Sequence, residues 1–401
     1  MKITRREFLF QAAGYAARKA LGGNYNNGQE NAANAETVSL SREECFRPFG
    51  TGSAEWQYVQ FQYANPGSEQ IGVVVSIGEL TDPETGIKNQ QLLVMRHNLE
   101  TGETERNAYR GFRTFDELSS TYTFKAHDGR QLAVFSYEAS RDCYTLKVTT
   151  AEFDSDVLDK NGLVLKPEGD LIAVSKDGRF PIASYPEGQI TTNYWADNIR
   201  VERTTGETVG YGRRDSENLE VEGLPPPGLD IDHTWVHVCG SLADGSRVFV
   251  TAWSSQTGGD HKFADITLVG ADGHKLREMI QFNEDDPGFG LAFEPARQEQ
   301  EAIPDQPFQM AHGGTVAAEI NGQSLFRLTI DGNPGQVIDA RGMVNMVEAH
   351  GKLVGGNVLG ASVTGLSAVW ETTVEGYSTF LPTVGRPILL AKTATQAGSR
   401  R

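Results

Sequence analysis

Beyond residue 54 the hydrophobic and polar positions alternate with a period of two. In AEWQYVQFQYA, Trp56, Tyr58, Gln60 and Gln62 share one face, and Gln57, Val59, Phe61 and Tyr63 share the other. The apolar, β-branched run IGVVVSI at 71–77 reads as a buried strand, and QLLVMRHNL, TYTFKA, QLAVFSYEA, YTLKVTTA, SRVFVTAWS, FADITLVGA and SLFRLTI continue the pattern. Seven Asp-Gly or Asn-Gly pairs punctuate these runs, at 128–129, 161–162, 177–178, 244–245, 272–273, 321–322 and 331–332. Such a pair supplies the positive φ angles of a type I′ turn, whose twist suits a hairpin. The pattern predicts an all-β antiparallel meander and excludes a parallel α/β sheet, which needs crossover helices.

The triple proline in Gly223-Leu224-Pro225-Pro226-Pro227-Gly228 cannot lie within a central strand. It divides the ordered chain into halves, each large enough for a sandwich or barrel. The expected organisation is a segment 1–35, a linker 36–50, a β domain 51–222, a Gly/Pro linker 223–228, a second β domain 229–385 and a tail 386–401. Residues 283–309, rich in proline, Gln and Glu, read as a long surface excursion at a rim or lid. No repeat with a period of 20 to 50 residues is evident, which counts against a propeller or solenoid.

Charge narrows the partners. With 53 acidic and 36 basic residues the net charge is -17, unsuited to non-specific binding of nucleic acid or an anionic membrane. No stretch approaches the roughly 20 apolar residues of a spanning helix. The opening MKITRREFLF, the weak apolar run to Ala17 and the later Ala33-x-Ala35 resemble a twin-arginine export signal, which predicts periplasmic or other export. Without that signal the protein is expected in the cytoplasm. Cys45, Cys143 and Cys239 are widely spaced, so at most one disulfide is expected and no zinc site.

Nucleotide, hydrolase-elbow and zincin motifs are absent from the sequence. Three segments instead join tryptophan to polar groups: Glu55-Trp56-Gln57-Tyr58, Asn193-Tyr194-Trp195 and Asp232-His233-Thr234-Trp235-Val236-His237. On a strand His233, Trp235 and His237 share a face, but two histidines four residues apart lie roughly 13 Å apart, too far to ligate one metal. The three segments are expected to meet at one cavity, where burial would shift the pKa of a carboxyl or imidazole.

These segments, with Ala368-Val369-Trp370-Glu371-Thr372-Thr373-Val374-Glu375-Gly376-Tyr377, resemble the hydroxyneurosporene synthase (carotenoid 1,2-hydratase) superfamily over roughly residues 50–380. Its relatives include lipocalin-like Diels–Alderases and tocopherol cyclases. The resemblance implies two tandem lipocalin-like antiparallel β-barrel or sandwich domains and an apolar ligand. Gln57 interrupts the family's Glu-Trp-Trp-Tyr, Val236 stands where a glycine is usual, and Asn193 replaces an active-site histidine, which puts hydratase activity itself in doubt.

The resulting expectation is an enzyme for acid-assisted hydration, cyclisation or isomerisation of an apolar polyene, polyketide or terpenoid-like molecule. Asp232 is the expected proton donor, with His233 as its orienter or the alternative donor. Trp56, Tyr58, Asn193, Tyr194, Trp195, Trp235, His237 and Trp253 are the expected substrate-binding residues. The chemistry calls for no cofactor and no metal. A non-catalytic carrier of a hydrophobic molecule and a glycan-binding β-sandwich are the other open readings.

Overall fold

The computed structural model describes residues 40–48, 54–64, 69–81, 88–150, 161–173, 179–222, 233–255, 261–282, 289–303, 306–340, 344–373 and 388–389. The export-signal segment, the Gly/Pro linker, Asp177-Gly178 and Asp232 lie outside them.

The first sheet comprises β1 (Ala54–Ala64), β2 (Gln70–Thr81), β3 (Lys88–Asn98), β4 (Thr104–Asp116), β5 (Thr121–Ala126), β6 (Gln131–Glu138), β7 (Cys143–Val148), β8 (Leu163–Pro167), β9 (Ile172–Ala173), β10 (Arg179–Tyr185), β11 (Gly188–Arg203) and β12 (Thr208–Glu222). Strands β1 to β8 follow in order, β12 pairs with β1, and β11 pairs with both β12 and β8. The result is a closed ten-strand antiparallel barrel.

The second sheet comprises β13 (His233–Ser241), β14 (Arg247–Ser255), β15 (His261–Val269), β16 (Lys275–Phe282), β17 (Phe289–Ile303), β18 (Gln306–Ile320), β19 (Gln323–Ala340), β20 (Val344–Val358), β21 (Ala361–Val363), β22 (Ser367–Thr373) and β23 (Ile388–Leu389). Its main order is β16-β15-β14-β13-β22-β20-β19-β18-β17, a curved half-barrel whose two ends do not pair among the described residues. The all-β, tandem lipocalin-like architecture expected from the sequence is the one observed. Among the described residues no helix is long and apolar enough to cross a membrane.

Several local expectations need correction. Of the described Asx-Gly pairs, Asn321-Gly322 has both residues at positive φ, 49° and 74°. At Gly129, Gly245 and Gly273 only the glycine is left-handed, and the preceding Asp carboxylate accepts the N–H of the residue after the glycine. That side-chain bond favours a three-residue loop with a bulge over a two-residue I′ turn. Asp331-Gly332 is no turn at all, because it lies inside β19.

The surface excursion expected at 283–309 is largely the β17/β18 hairpin. Its proline and polar residues read as loop, yet β17 is an edge strand, where Pro295 costs no ladder bond.

Residues 36–50, expected as a linker, include a one-turn helix, α1 (Arg42–Phe46), with a Ser41/Glu44 capping box. Phe46 enters the barrel and meets Tyr122 and Phe135 edge-on, with ring centroids 5.2 and 5.0 Å away. The Arg214 guanidinium lies over Phe46 and Tyr144, and its Nη2 donates to Gln57 Oε1 at 2.6 Å. Asp197 accepts from Tyr144 and Arg42 and ties the helix to the wall. The barrel interior is thus filled with side chains, and the lipocalin-like cavity position is occupied by the protein itself.

Candidate functional site

With the barrel filled, the outward face of its β12-β1-β2-β3 quarter carries the polar-aromatic residues. Strand register sets them in two rows: Glu217, Trp56, Gly78 and Gln91, then Asp215, Tyr58, Ser76 and Leu93. The facing row on the half-barrel is Trp253, Trp235, Glu371 and Glu348 across β14, β13, β22 and β20. A third core of apolar residues from both sheets, among them Tyr58, Val74, Trp235 and Val369, holds the two faces together. Gly240 (φ 146°) packs against the Gln62 side chain, which would have to shift to admit a Cβ there.

Between the rows is a small cleft, partly open to solvent, with a cavity volume of about 50 Å³. Trp56, Tyr58 and Trp235 line it, and Trp253 lies behind. The absence of a side chain at Gly78 leaves room in its floor. Five carboxyls stand in its wall: Glu79, Asp215, Glu217, Glu348 and Glu371.

Their surroundings divide them. Burial raises Glu371 to about 8, and Glu348 adds to the effect. Burial also raises Asp215, to about 7, against the pull of Arg213 and Arg214. Glu217 is held well above the usual carboxylate range by burial, with Glu371 and Asp215 adding. Burial acts the same way on Glu348 and Glu79, but their partners prevail and both are lowered. Glu348 has His350 and the Tyr58 hydroxyl, and Glu79 has Lys88 and Arg113. Neighbouring carboxyls with pKa values pushed apart are the arrangement that acid–base chemistry uses.

Glu371 is also oriented. The Trp253 indole N–H can only donate, and it meets His233 Nδ1 at 2.9 Å. His233 Nδ1 must therefore accept, so the proton sits on Nε2, which faces Glu371 Oε1 at 3.1 Å. A Trp253–His233–Glu371 relay thus fixes the imidazole as a neutral donor to one oxygen of the carboxyl and leaves Oε2 for the carboxyl's own proton. On the next strand, Tyr58 donates to Glu348 at 2.9 Å.

Of the residues singled out in the sequence, Trp56, Tyr58 and Trp235 line the cleft, and His233, Trp253 and Tyr194 stand directly behind it. Tyr194 meets Trp253 edge-on. The structure does not bring the others to the cleft. Trp195 packs on Cys45 and Ala173. Asn193 is buried on the same side of β11 as Trp195. His237 is buried farther along β13, where its Nδ1 pairs with Gln60 Oε1 at 2.7 Å. Gln57 points into the barrel as Arg214's partner. The cysteines are three buried free thiols.

Sequence reasoning missed Asp215, Glu217, Glu348 and Glu371. Only the alternation of Asp215 and Glu217 with arginine and serine in RRDSEN, and Glu371 in AVWETT, marked them.

No family model matches the chain, and no curated protein matches it in sequence. Solved structures do match. A candidate AttH from Nitrosomonas europaea superposes with a TM-score of 0.51 at 17% identity, over 84% of this chain and 97% of that one. Kievitone hydratase from Nectria haematococca gives 0.44 at 12% identity, over 85% and 94% of the two chains. CghA gives 0.40 at 11% identity, over 82% and 90%. The chain therefore has the tandem lipocalin-like fold implied by its resemblance to the hydroxyneurosporene synthase (carotenoid 1,2-hydratase) superfamily.

Proposed function

We propose that the protein is an enzyme that delivers a proton from Glu371 to an unsaturated, largely apolar small molecule held in the interdomain cleft. The observation that carries this reading is a carboxyl raised to about 8 in an aromatic wall and aimed by a histidine whose tautomer is fixed. Such a group is protonated at neutral pH, as a general acid must be.

In the reaction the Oε2–H bond breaks and a bond from hydrogen to the substrate forms, which leaves a cationic or strongly polarised π-system and the Glu371 carboxylate. The faces of Trp56 and Trp235 and the ionised Glu348 stabilise the positive charge. Water adding to the cation returns a proton to Glu371 and completes a hydration. Loss of a different proton to Glu371 gives isomerisation, and capture by a second double bond, followed by loss of a proton from the new cation to Glu371, gives cyclisation. Asp232, the donor expected from sequence, lies outside the described residues, and Glu371 is the donor proposed in its stead.

Glu371→Gln keeps the shape and loses the proton, so turnover of the bound substrate should fall by about 10²- to 10⁴-fold, the range of a general acid. Undiminished turnover would remove the assignment.

A further inference from the structure

One polar group in the cleft wall, the Trp235 indole N–H, is unused by this mechanism. Trp235 is 7% exposed, and its Nε1 has no hydrogen-bond partner among the described residues. A buried indole N–H can only donate, and leaving it unpaired costs free energy. Its ring is fixed edge-on to Tyr58, with centroids 6.2 Å apart. Directly opposite Trp235 in the β13/β22 register is Glu371. There Oε1 receives the His233 proton, and Oε2, in the protonated acid, is a second donor.

Trp235 and Glu371 are cross-strand partners in one cleft wall, and directly opposed side chains on a strand pair are near enough for their donors to share a single acceptor with two lone pairs. A carbonyl oxygen is such an atom. We infer that Trp235 Nε1 and Glu371 Oε2 together hold one carbonyl oxygen of the ligand, so that the substrate class is a conjugated carbonyl compound, such as an enone, rather than a hydrocarbon polyene.

This deepens the proton-transfer reading and rests on it. The ligand oxygen is where Glu371's proton goes: Oε2–H breaks, O–H forms on the ligand, and the positive charge spreads along the conjugated chain to the β-carbon. Trp235 is then a catalytic residue in the sense that its N–H touches the substrate, holding the carbonyl oxygen in line with the Glu371 proton. The conjugated plane has flat apolar surface available at Trp56 on the opposite sheet.

The test uses 4-(dimethylamino)cinnamaldehyde, whose absorption moves to the red when its carbonyl is polarised, against its hydrocarbon counterpart 4-(dimethylamino)-β-methylstyrene. With the wild-type chain the aldehyde should bind about tenfold more tightly than the hydrocarbon, as expected for two net hydrogen bonds. Its spectrum should also shift to the red. Trp235→Phe keeps the aromatic packing and should remove most of the preference and part of the shift.

Equal affinity for the two probes, no red shift, or an unchanged response in Trp235→Phe would overturn the inference. So would displacement of the aldehyde by tetramethylammonium at equal concentration, which would make the cleft a cation site. The two proposals fail separately. If no carbonyl preference exists while Glu371→Gln loses turnover of the native ligand, the substrate class falls and the proton donor stands. If the preference holds while Glu371→Gln turns over normally, the donor falls.

Discussion

Tyr58 on the barrel donates its phenol to Glu348 on the half-barrel, 2.9 Å away and 290 residues later in the chain. Both residues are at least nine-tenths buried. The bond joins the two sheets at the edge of the cleft and helps keep Glu348 ionised beside the protonated Glu371. A hydrogen bond to a buried carboxylate contributes about 1.5–3 kcal/mol. Tyr58→Phe should therefore lower the unfolding free energy by about that amount in urea titration. An unchanged midpoint would mean that the link adds nothing to stability.

Trp253 reaches the site through His233. Trp253→Phe preserves the edge contact with Tyr194 and removes the N–H that holds His233 Nδ1 as an acceptor. The imidazole is then free to change tautomer or take a second proton. The expected result is a loss of about 10- to 100-fold in kcat with little change in KM, as for other groups that orient a reacting residue. A purely structural role would leave kcat per folded molecule unaltered.

The raised carboxyls make stability depend on pH with a definite sign. Asp215 and Glu371 hold protons in the folded chain up to about 7 and about 8, whereas an unfolded chain releases them near pH 4. Over the window between, the folded state binds more protons, so stability falls as pH rises and levels off above the folded values. The slope is at most about 1.4 kcal/mol per pH unit for each group. Glu79 and Glu348, being lowered, act oppositely, and their contribution is lost as pH falls below the ordinary carboxylate value. Melting curves between about pH 5 and pH 9 should show the decline, and Glu371→Gln should flatten it.

Gly78 tests the position of the cleft without touching a polar group. A Cβ there would meet Gln91 Cγ and Trp56 Cβ at 3.8 Å, ordinary contacts. Gly78→Ala should therefore be tolerated, while the larger Gly78→Phe should fill the floor. Retained ligand should drop in the phenylalanine variant and not in the alanine one, at closely similar melting temperatures.

The fold was legible because period-two alternation in β1, β2, β3 and their successors names the faces directly. The paired faces of AEWQYVQFQYA are those seen, with Val59, Phe61 and Tyr63 inside the barrel and Tyr58, Gln60 and Gln62 toward the second sheet. Trp56 and Trp235 were legible as cleft residues for the same reason.

The carboxyls were not. Asp215 and Glu217 lie among arginines in a stretch that reads as a solvated strand, and only the docking of a second sheet buries them. Glu348 and Glu371 are neighbours solely through the β20/β22 pairing. The filling of the barrel was hidden too, since α1 follows a segment without periodicity. A single phenylalanine and an internal arginine then move the cavity from inside a domain to between two.

The central claim is that the cleft converts its ligand through the proton on Glu371. The direct measurement is to incubate wild type, Glu371→Gln and Gly78→Phe with one small-molecule extract of the source cells, then identify bound and released compounds by native and chromatographic mass spectrometry. The account predicts an altered compound from wild type, the same compound retained unaltered by Glu371→Gln, and no retention by Gly78→Phe. Equal conversion by wild type and Glu371→Gln, or unaltered retention by all three, would contradict it.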